Sequence, residues 1–261
     1  MNIDRLRRVT RIVGLLLAAA ALMTAVPGPA SAADARAMLK AMSDYMVAQK
    51  TMSITFDSDI EVITPQLEKI QFASSGEMTM SRPDKLRAHR LGGYSDVELV
   101  FDGAKATVFS KALNAYAQVE GKGTIDQLIE SLRRGRGVAL PFADFLTSRP
   151  YDILVADVLE AKHIGTGVID GVVCDHLAFR NHDTDWQIWV ETGPKPFPRK
   201  IVITSKTVAG APQYTMRIKS WKVDFQPAAD FFAFVAPKNA GTLGPDDFIQ
   251  LDELPEGAPA K

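Results

Sequence analysis

Apolar residues from Ala33 to Gln49 return every three or four positions, at Ala37, Met38, Ala41, Met42, Tyr45 and Met46, with Asp34, Arg36 and Lys40 between them. That spacing predicts an amphipathic helix. The period then drops to two. Met52, Ile54, Phe56, Ile60 and Val62 hold one parity, and Ser53, Thr55, Asp57, Asp59 and Glu61 hold the other. A long strand with one apolar and one wet face is expected. Beyond a turn at Pro65-Gln66, Ile70, Phe72, Met78 and Met80 alternate with Lys69, Gln71, Ser75, Glu77 and Thr79 in a second such strand.

Shorter strands are predicted after the Arg82-Pro83-Asp84 corner, over Leu86 to Leu91, Val97 to Phe101, Ala106 to Ser110 and Ala115 to Val119, with Asp102-Gly103 as a hairpin turn. A helix follows, with Thr124 as its N-cap and Ile125, Leu128, Ile129 and Leu132 on one face. Two short helices, Pro141 to Thr147 and Tyr151 to Leu159, are separated by Pro150. Strand composition returns over Ala161 to Val168, Val172 to Arg180, Trp186 to Glu191, Lys200 to Lys206 and Gln213 to Phe225. Phe231, Phe232 and Phe234 suggest a last short strand, and 236–261 reads as a loosely attached Pro/Gly/acid-rich tail. Helix, strands, helices, strands is the order of an α+β fold, with a large antiparallel sheet and its helices gathered on one side.

Ahead of this domain, Arg5, Arg7, Arg8 and Arg11 precede an almost wholly apolar Ile12 to Val26, then Pro27-Gly28-Pro29 and the small residues Ala30-Ser31-Ala32. That is the layout of a secretory signal peptide over 1–32. The apolar run, about 15 residues, is short of the roughly 20 a spanning helix needs. Export to the periplasm is expected, leaving a single domain over 33–235 followed by the tail. The removed segment holds four arginines and one aspartate, so the net charge moves from −1 to −4. This balance argues against a nucleic-acid partner. The only cysteine, Cys174, leaves no internal disulfide and no lipidation site at the cleavage junction, so stability must come from a core.

Ser81-Arg82-Pro83-Asp84-Lys85-Leu86-Arg87 after an alternating strand, then Leu99-Val100-Phe101-Asp102-Gly103, resembles the first half of the LolA/LppX-like superfamily. Trp186-Gln187-Ile188-Trp189-Val190, leading through Pro194, Pro196 and Pro198 into Arg199-Lys200-Ile201-Val202-Ile203, resembles its second half. Within that superfamily the chain is similar to a family of predicted periplasmic proteins, on Gly123-Thr124-Ile125-Asp126, Cys174-Asp175-His176-Leu177-Ala178-Phe179 and Asp185-Trp186-Gln187-Ile188-Trp189. The resemblance implies a curved, unclosed antiparallel barrel with helices covering an apolar concave face. It implies a binding protein for a lipid, lipoprotein acyl chain or other hydrophobic ligand, acting as carrier or sensor. The alternative it leaves open is an envelope-stress sensor that binds an envelope protein without lipid cargo. Met52, Ile54, Phe56, Phe72, Met78, Met80 and Trp186 are the candidate cavity lining. The same residues would serve equally as ordinary core under the helices.

Reactive chemistry is sparse. Cys174 and His176 alternate on one strand and could face each other, but no motif surrounds them, and a lone cysteine on a valine-rich strand is ordinarily a small buried hydrophobe. Cys174, His176, His182, Asp183 and Asp185 are metal-ligating types without metal-ligand spacing. Asp57 and Asp59 fall on a wet strand face. Arg133, Arg134 and Arg136, interleaved with Gly135 and Gly137, read either as a solvated helix end or as a head-group contact beside a hinge. No enzyme, metal or cofactor is expected.

Overall fold

The computed structural model describes residues 32–136 and 142–244. The signal-peptide segment, Gly137, Pro141, the side chains of Arg134 and Arg136, and the tail beyond Gly244 lie outside the described residues.

The helix α1 (Ala32–Ala48) leads into two long strands, β1 (Thr51–Ile63) and β2 (Lys69–Ser81), and then β3 (Lys85–Gly92), β4 (Asp96–Phe101), β5 (Lys105–Ser110) and β6 (Ala115–Glu120). Next come α2 (Ile125–Arg136), a 3-10 helix (Ala143–Leu146) and α3 (Pro150–Val155). The second half is β7 (Glu160–Ile169), β8 (Val172–Arg180), β9 (Thr184–Glu191), β10 (Pro198–Ser205), β11 (Gln213–Val223) and β12 (Gly241–Leu243). All belong to one sheet in the order β12-β6-β5-β4-β3-β2-β1-β11-β10-β9-β8-β7. Two antiparallel meanders are thus joined where β1 meets β11, and the sheet is unclosed. Among the described residues no helix is long and apolar enough to cross a membrane.

Period two decides which side chains meet. Along β1, Met52 pairs with Met80 and Val223, Ile54 with Met78 and Trp221, and Phe56 with Gly76 and Ile218. Ser58 pairs with Ser74 and Met216, and Ile60 with Phe72 and Tyr214. The parity predicted to be apolar therefore faces the helices. Leu39, Met42 and Met46 of α1, Ile125 and Ile129 of α2, and Phe145 and Leu146 of the 3-10 helix share one buried cluster with Met52, Ile54, Met78 and Met80.

The structure corrects four expectations. First, α1 buries Ala35, Leu39, Met42, Ser43 and Met46 and exposes Ala37 and Ala41. The small alanines misplaced the stripe, because Leu39 commands far more apolar area than either. Second, Pro141 to Thr147 yields only the 3-10 helix Ala143–Leu146, and the helix predicted to Leu159 ends at Val155. Third, Phe231 to Phe234 form turns and not a strand. They cover the convex face of β3–β6, where Val100, Thr107 and Phe109 are buried. Phe234 lies 5.9 Å from the Phe109 ring and 5.2 Å from Tyr116, and Arg87 donates to the Phe231 carbonyl at 2.8 Å. Fourth, the tail is tied down as far as Gly244: Gly241–Leu243 pairs with Ala115–Ala117 in parallel, the one parallel pairing in the sheet.

Candidate functional site

The concave face divides into an apolar floor and a polar island. The floor runs from Met52–Met80 and Ile54–Met78 towards Ile218, Met216, Ile201 and Ile188, all of them buried. Of the chain's nine methionines, seven lie in the described residues. Met42, Met46, Met52, Met78, Met80 and Met216 belong to the one cluster, and Met38 packs against it. Unbranched thioether side chains adapt to irregular surfaces.

Phe56 marks the border. Its ring lies across Gly76, where an added Cβ would sit 2.4 Å from the Phe56 Cζ and 2.7 Å from the His89 carbonyl. Only a glycine admits this ring. Beyond it, the concave positions become Ser58, Ser74 and Arg90, where a simple core would carry aliphatic residues. Ser58 and Ser74 share a hydrogen bond of 2.8 Å, and Ser58 also bonds to Tyr214. Burial pushes the Tyr214 phenol up, with the Ser58 bond and the Arg90 charge opposing, so it stays a neutral donor. Here a cavity of about 270 Å³ opens, lined by Ile60, Phe72, Ser74, Arg90, Gly92 and Tyr94 among others. Phe72 and Tyr94 meet edge-to-face at 5.5 Å.

The helices over the floor are fastened at the Arg82 corner. Arg82 donates to the carbonyls of Leu146 (2.8 Å) and Thr147 (3.2 Å), while Nε and Nη2 are buried without a hydrogen-bond partner. Burial pulls its guanidinium below its ordinary value, and the Asp126 charge opposes the shift. Asp126 accepts from the Ser148 amide at 2.9 Å and from its hydroxyl at 2.5 Å. Arg133 pairs with Asp144, so this member of the basic cluster joins α2 to the 3-10 helix. Thr124 and Gln127 close a reciprocal capping box at the start of α2.

Of the seven residues predicted as lining, Met52, Ile54, Met78, Met80 and Trp186 belong to one buried cluster and Phe56 packs against it, while Phe72 does not. Met52, Ile54, Met78 and Met80 are buried in the floor, with Phe56 packed at its border. Trp186 is buried four strands from Phe72 along one cross-strand row (Trp186, Ile203, Tyr214, Ile60, Phe72), stacked on Phe179 at 4.0 Å and donating to Asn181 at 3.1 Å. Phe72 lines the outer pocket instead. Sequence reasoning missed Ser58, Ser74, Arg90 and Tyr214. The signal was present, since two serines interrupt the apolar parity of β1 and β2 in register, but that register is set by pairing.

Cys174 is fully buried on the face opposite the floor, its thiol 3.5 Å from the Val172 carbonyl. Burial raises its pKa, with the Arg199 charge opposing, so the reactive thiolate is disfavoured. His176 is engaged elsewhere: it hydrogen-bonds Gln187 at 2.9 Å and stacks on Trp189 at 4.1 Å. His182 and Asp183 are exposed, and Asp185 pairs with Arg180 and Lys206. Six strand positions, roughly 20 Å, separate Cys174 from Arg180, the partner of Asp185 across β8–β9. Among the described residues no three His, Cys, Asp or Glu side chains are grouped to hold a metal ion. Asp57 accepts from Ser75 at 2.7 Å on the wet face.

A family model described as "Predicted periplasmic protein (DUF2092)" matches residues 35–243. None of the curated proteins matches the chain. Among solved structures, an uncharacterised conserved protein from Thermus thermophilus is similar at 10% identity and a TM-score of 0.49, over 81% of this chain and 99% of that one. The lipoprotein LppX of Mycobacterium tuberculosis is similar at 13% identity and 0.39, over 74% of this chain and 100% of that one. The Pseudomonas aeruginosa MucA/MucB complex is similar at 12% identity and a TM-score of 0.44, over 78% of this chain and 62% of that one.

Proposed function

We propose a function for a chain that belongs to the DUF2092 family of predicted periplasmic proteins: it binds a lipid, a lipoprotein acyl chain or another hydrophobic ligand between its sheet and the helices over it, as carrier or sensor. The observation that carries this reading is the methionine seam. Every methionine of the described residues belongs to, or packs against, the one buried cluster that the helices share with the concave face. A core that needs only to be stable is better specified by branched aliphatics, which hold one rotamer; methionine re-packs at little cost.

The seam is closed in this structure, so a ligand enters by displacing helices. Each Å² of apolar ligand surface removed from water contributes roughly 25 cal/mol, which offsets the loss of helix contacts. The polar fastenings at Arg82, Asp126 and Arg133 add to the apolar residues that α2 and the 3-10 helix bury against the sheet. Cys174 and His176 take no part, and the protein acts by binding.

Titration with a fluorescent polyene fatty acid tests this. Saturable binding at one site per chain, displaced by unlabelled fatty acid, is expected. Binding that stays linear with concentration would overturn the proposal. The second reading, a protein partner, has its own observation: Ile164 and Val168 of the edge strand β7 and Val173 of β8 are exposed. An edge with unpaired backbone groups can add a partner's strand. Crosslinking from Val168 in the envelope, with no lipid in the protein, would favour it.

A further inference from the structure

Antiparallel order sends alternate turns to opposite ends of the sheet. The registers put the turns after β1, β3, β5, β8 and β10 at one end, and those after β2, β4, β7 and β9 at the other. The second end is charged at its turns, which carry Asp84, Asp102, Asp170 and Lys195. The first end differs. Leu67, Ile70, Leu91, Tyr94, Leu113 and Val208, between 41% and 73% exposed, all stand in or beside its turns. We infer that this rim docks on a lipid bilayer, with Leu67, Tyr94, Leu113 and Val208 entering the head-group region. The inference stands whether or not the methionine seam holds a ligand.

Single exposed apolar residues are ordinary on a protein surface. Their gathering on one rim marks a contact surface. Leu67 supplies the firmest argument. Its φ is 66°, in the left-handed region where a bulky side chain is strained and glycine or asparagine is favoured. It is also the most exposed of the six. A leucine placed there serves neither the turn nor the core, and a surface outside the protein accounts for it.

Charge selects the bilayer as that surface. The tips Pro65-Gln66-Leu67, Gly93-Tyr94 and Val208-Ala209 are uncharged. The charges behind them are paired: Lys69 with Glu61 at 3.1 Å, Lys111 with Asp96 at 3.5 Å and Lys206 with Asp185 at 3.2 Å. The acid beside Leu67, Glu68, accepts from the Thr64 hydroxyl at 3.4 Å. Apolar side chains presented singly on separate turns suit a soft surface with no fixed shape. Tyrosine, with an apolar ring and a wet hydroxyl, suits the interface between head groups and water. The polar β8–β9 turn, Asn181 to Asp183, marks where the apolar rim ends. Gly93, Tyr94 and Ser95 of this rim also border the cavity of about 270 Å³, so docking brings that cavity to the lipid surface.

The test is flotation of the protein recovered from the periplasm with vesicles of phosphatidylcholine, which carry no net charge. The unaltered chain is expected to float with the vesicles, and to do so in high salt as well. Leu67→Asn should weaken partitioning about threefold, since a turn tip buries only part of its side chain, while its thermal midpoint falls no lower. Leu67→Asn, Tyr94→Ser and Leu113→Ser together should weaken it about thirtyfold, because separate turns act additively. Val168→Ser with Val173→Ser, beside the β7–β8 turn at the other end, should change nothing. If the triple variant unfolds, Leu67→Asn decides alone. A chain that stays in solution, binding lost in high salt, or equal losses in the two sets of variants would overturn the inference. Sedimentation velocity without lipid supplies the last arm: a dimer that the rim variants dissolve would make the rim a contact between two copies instead.

Discussion

Gly76 governs the concave face because its missing side chain is the space in which the Phe56 ring lies. Gly76→Ala would set a methyl 2.7 Å from a backbone carbonyl that cannot swing away. We expect a loss of about 1–3 kcal/mol, read as a lower urea midpoint with unchanged slope. Asp102 acts at the same scale. Burial alone would raise its carboxyl, but amide donors from Ala104 (2.9 Å) and Lys105 (2.8 Å) outweigh that and hold it below the ordinary value. A carboxyl depressed in the folded state stabilises fully above its unfolded pKa, and that contribution is lost as pH falls through the folded one. Asp102→Asn should therefore lower stability at neutral pH and flatten its fall on acidification, followed by thermal unfolding across that window. The hairpin here also differs in detail from the sequence reading. Gly103 (φ 89°) and Ala104 sit at its centre, and Asp102 closes it through its Lys105 pairing.

The elements show what periodicity can and cannot tell. In β1 and β2 period two at Met52, Ile54, Phe56, Ile60 and Val62, and at Phe72, Met78 and Met80, made both strands and their apolar parity legible despite the interruption at Ser58 and Ser74. The helix α2 was equally legible, from Thr124 and the Ile125, Leu128, Ile129, Leu132 face. The α1 stripe was misread because alanine is apolar by type yet contributes little area. The Phe231–Phe234 segment was misread because three aromatics suggest a strand, whereas their burial comes from lying flat on the outer face of β3–β6. Docking of α2 and the 3-10 helix depends on Arg82 and Asp126, which no periodicity could pair. Arg82→Leu removes both carbonyl contacts, and Asp126→Ala frees Ser148. Either should speed amide hydrogen exchange over residues 143–155 by about tenfold while β1 and β2 stay protected. Uniform loss of protection would mean that these contacts hold the fold and not its cover.

For the whole molecule, the sheet order places the longest strands at the centre and leaves β12 and β7 as edges. Unclosed, the sheet has a concave face that needs a cover, which α1, α2 and the 3-10 helix supply. The sequence showed that an apolar face existed. It did not show that the face ends in a polar island, because Ser58, Ser74, Arg90 and Tyr214 are brought together by four different strands whose register is a tertiary property. The central claim is that the methionine seam opens to hold a hydrophobic ligand. Native mass spectrometry of the protein recovered from the periplasm without detergent, with organic extraction of whatever it holds, tests that claim most directly. A fraction heavier by one lipid per chain, with the same lipid in the extract, is the result this account predicts. A single ligand-free mass that stays unchanged after incubation with fatty acids would contradict it.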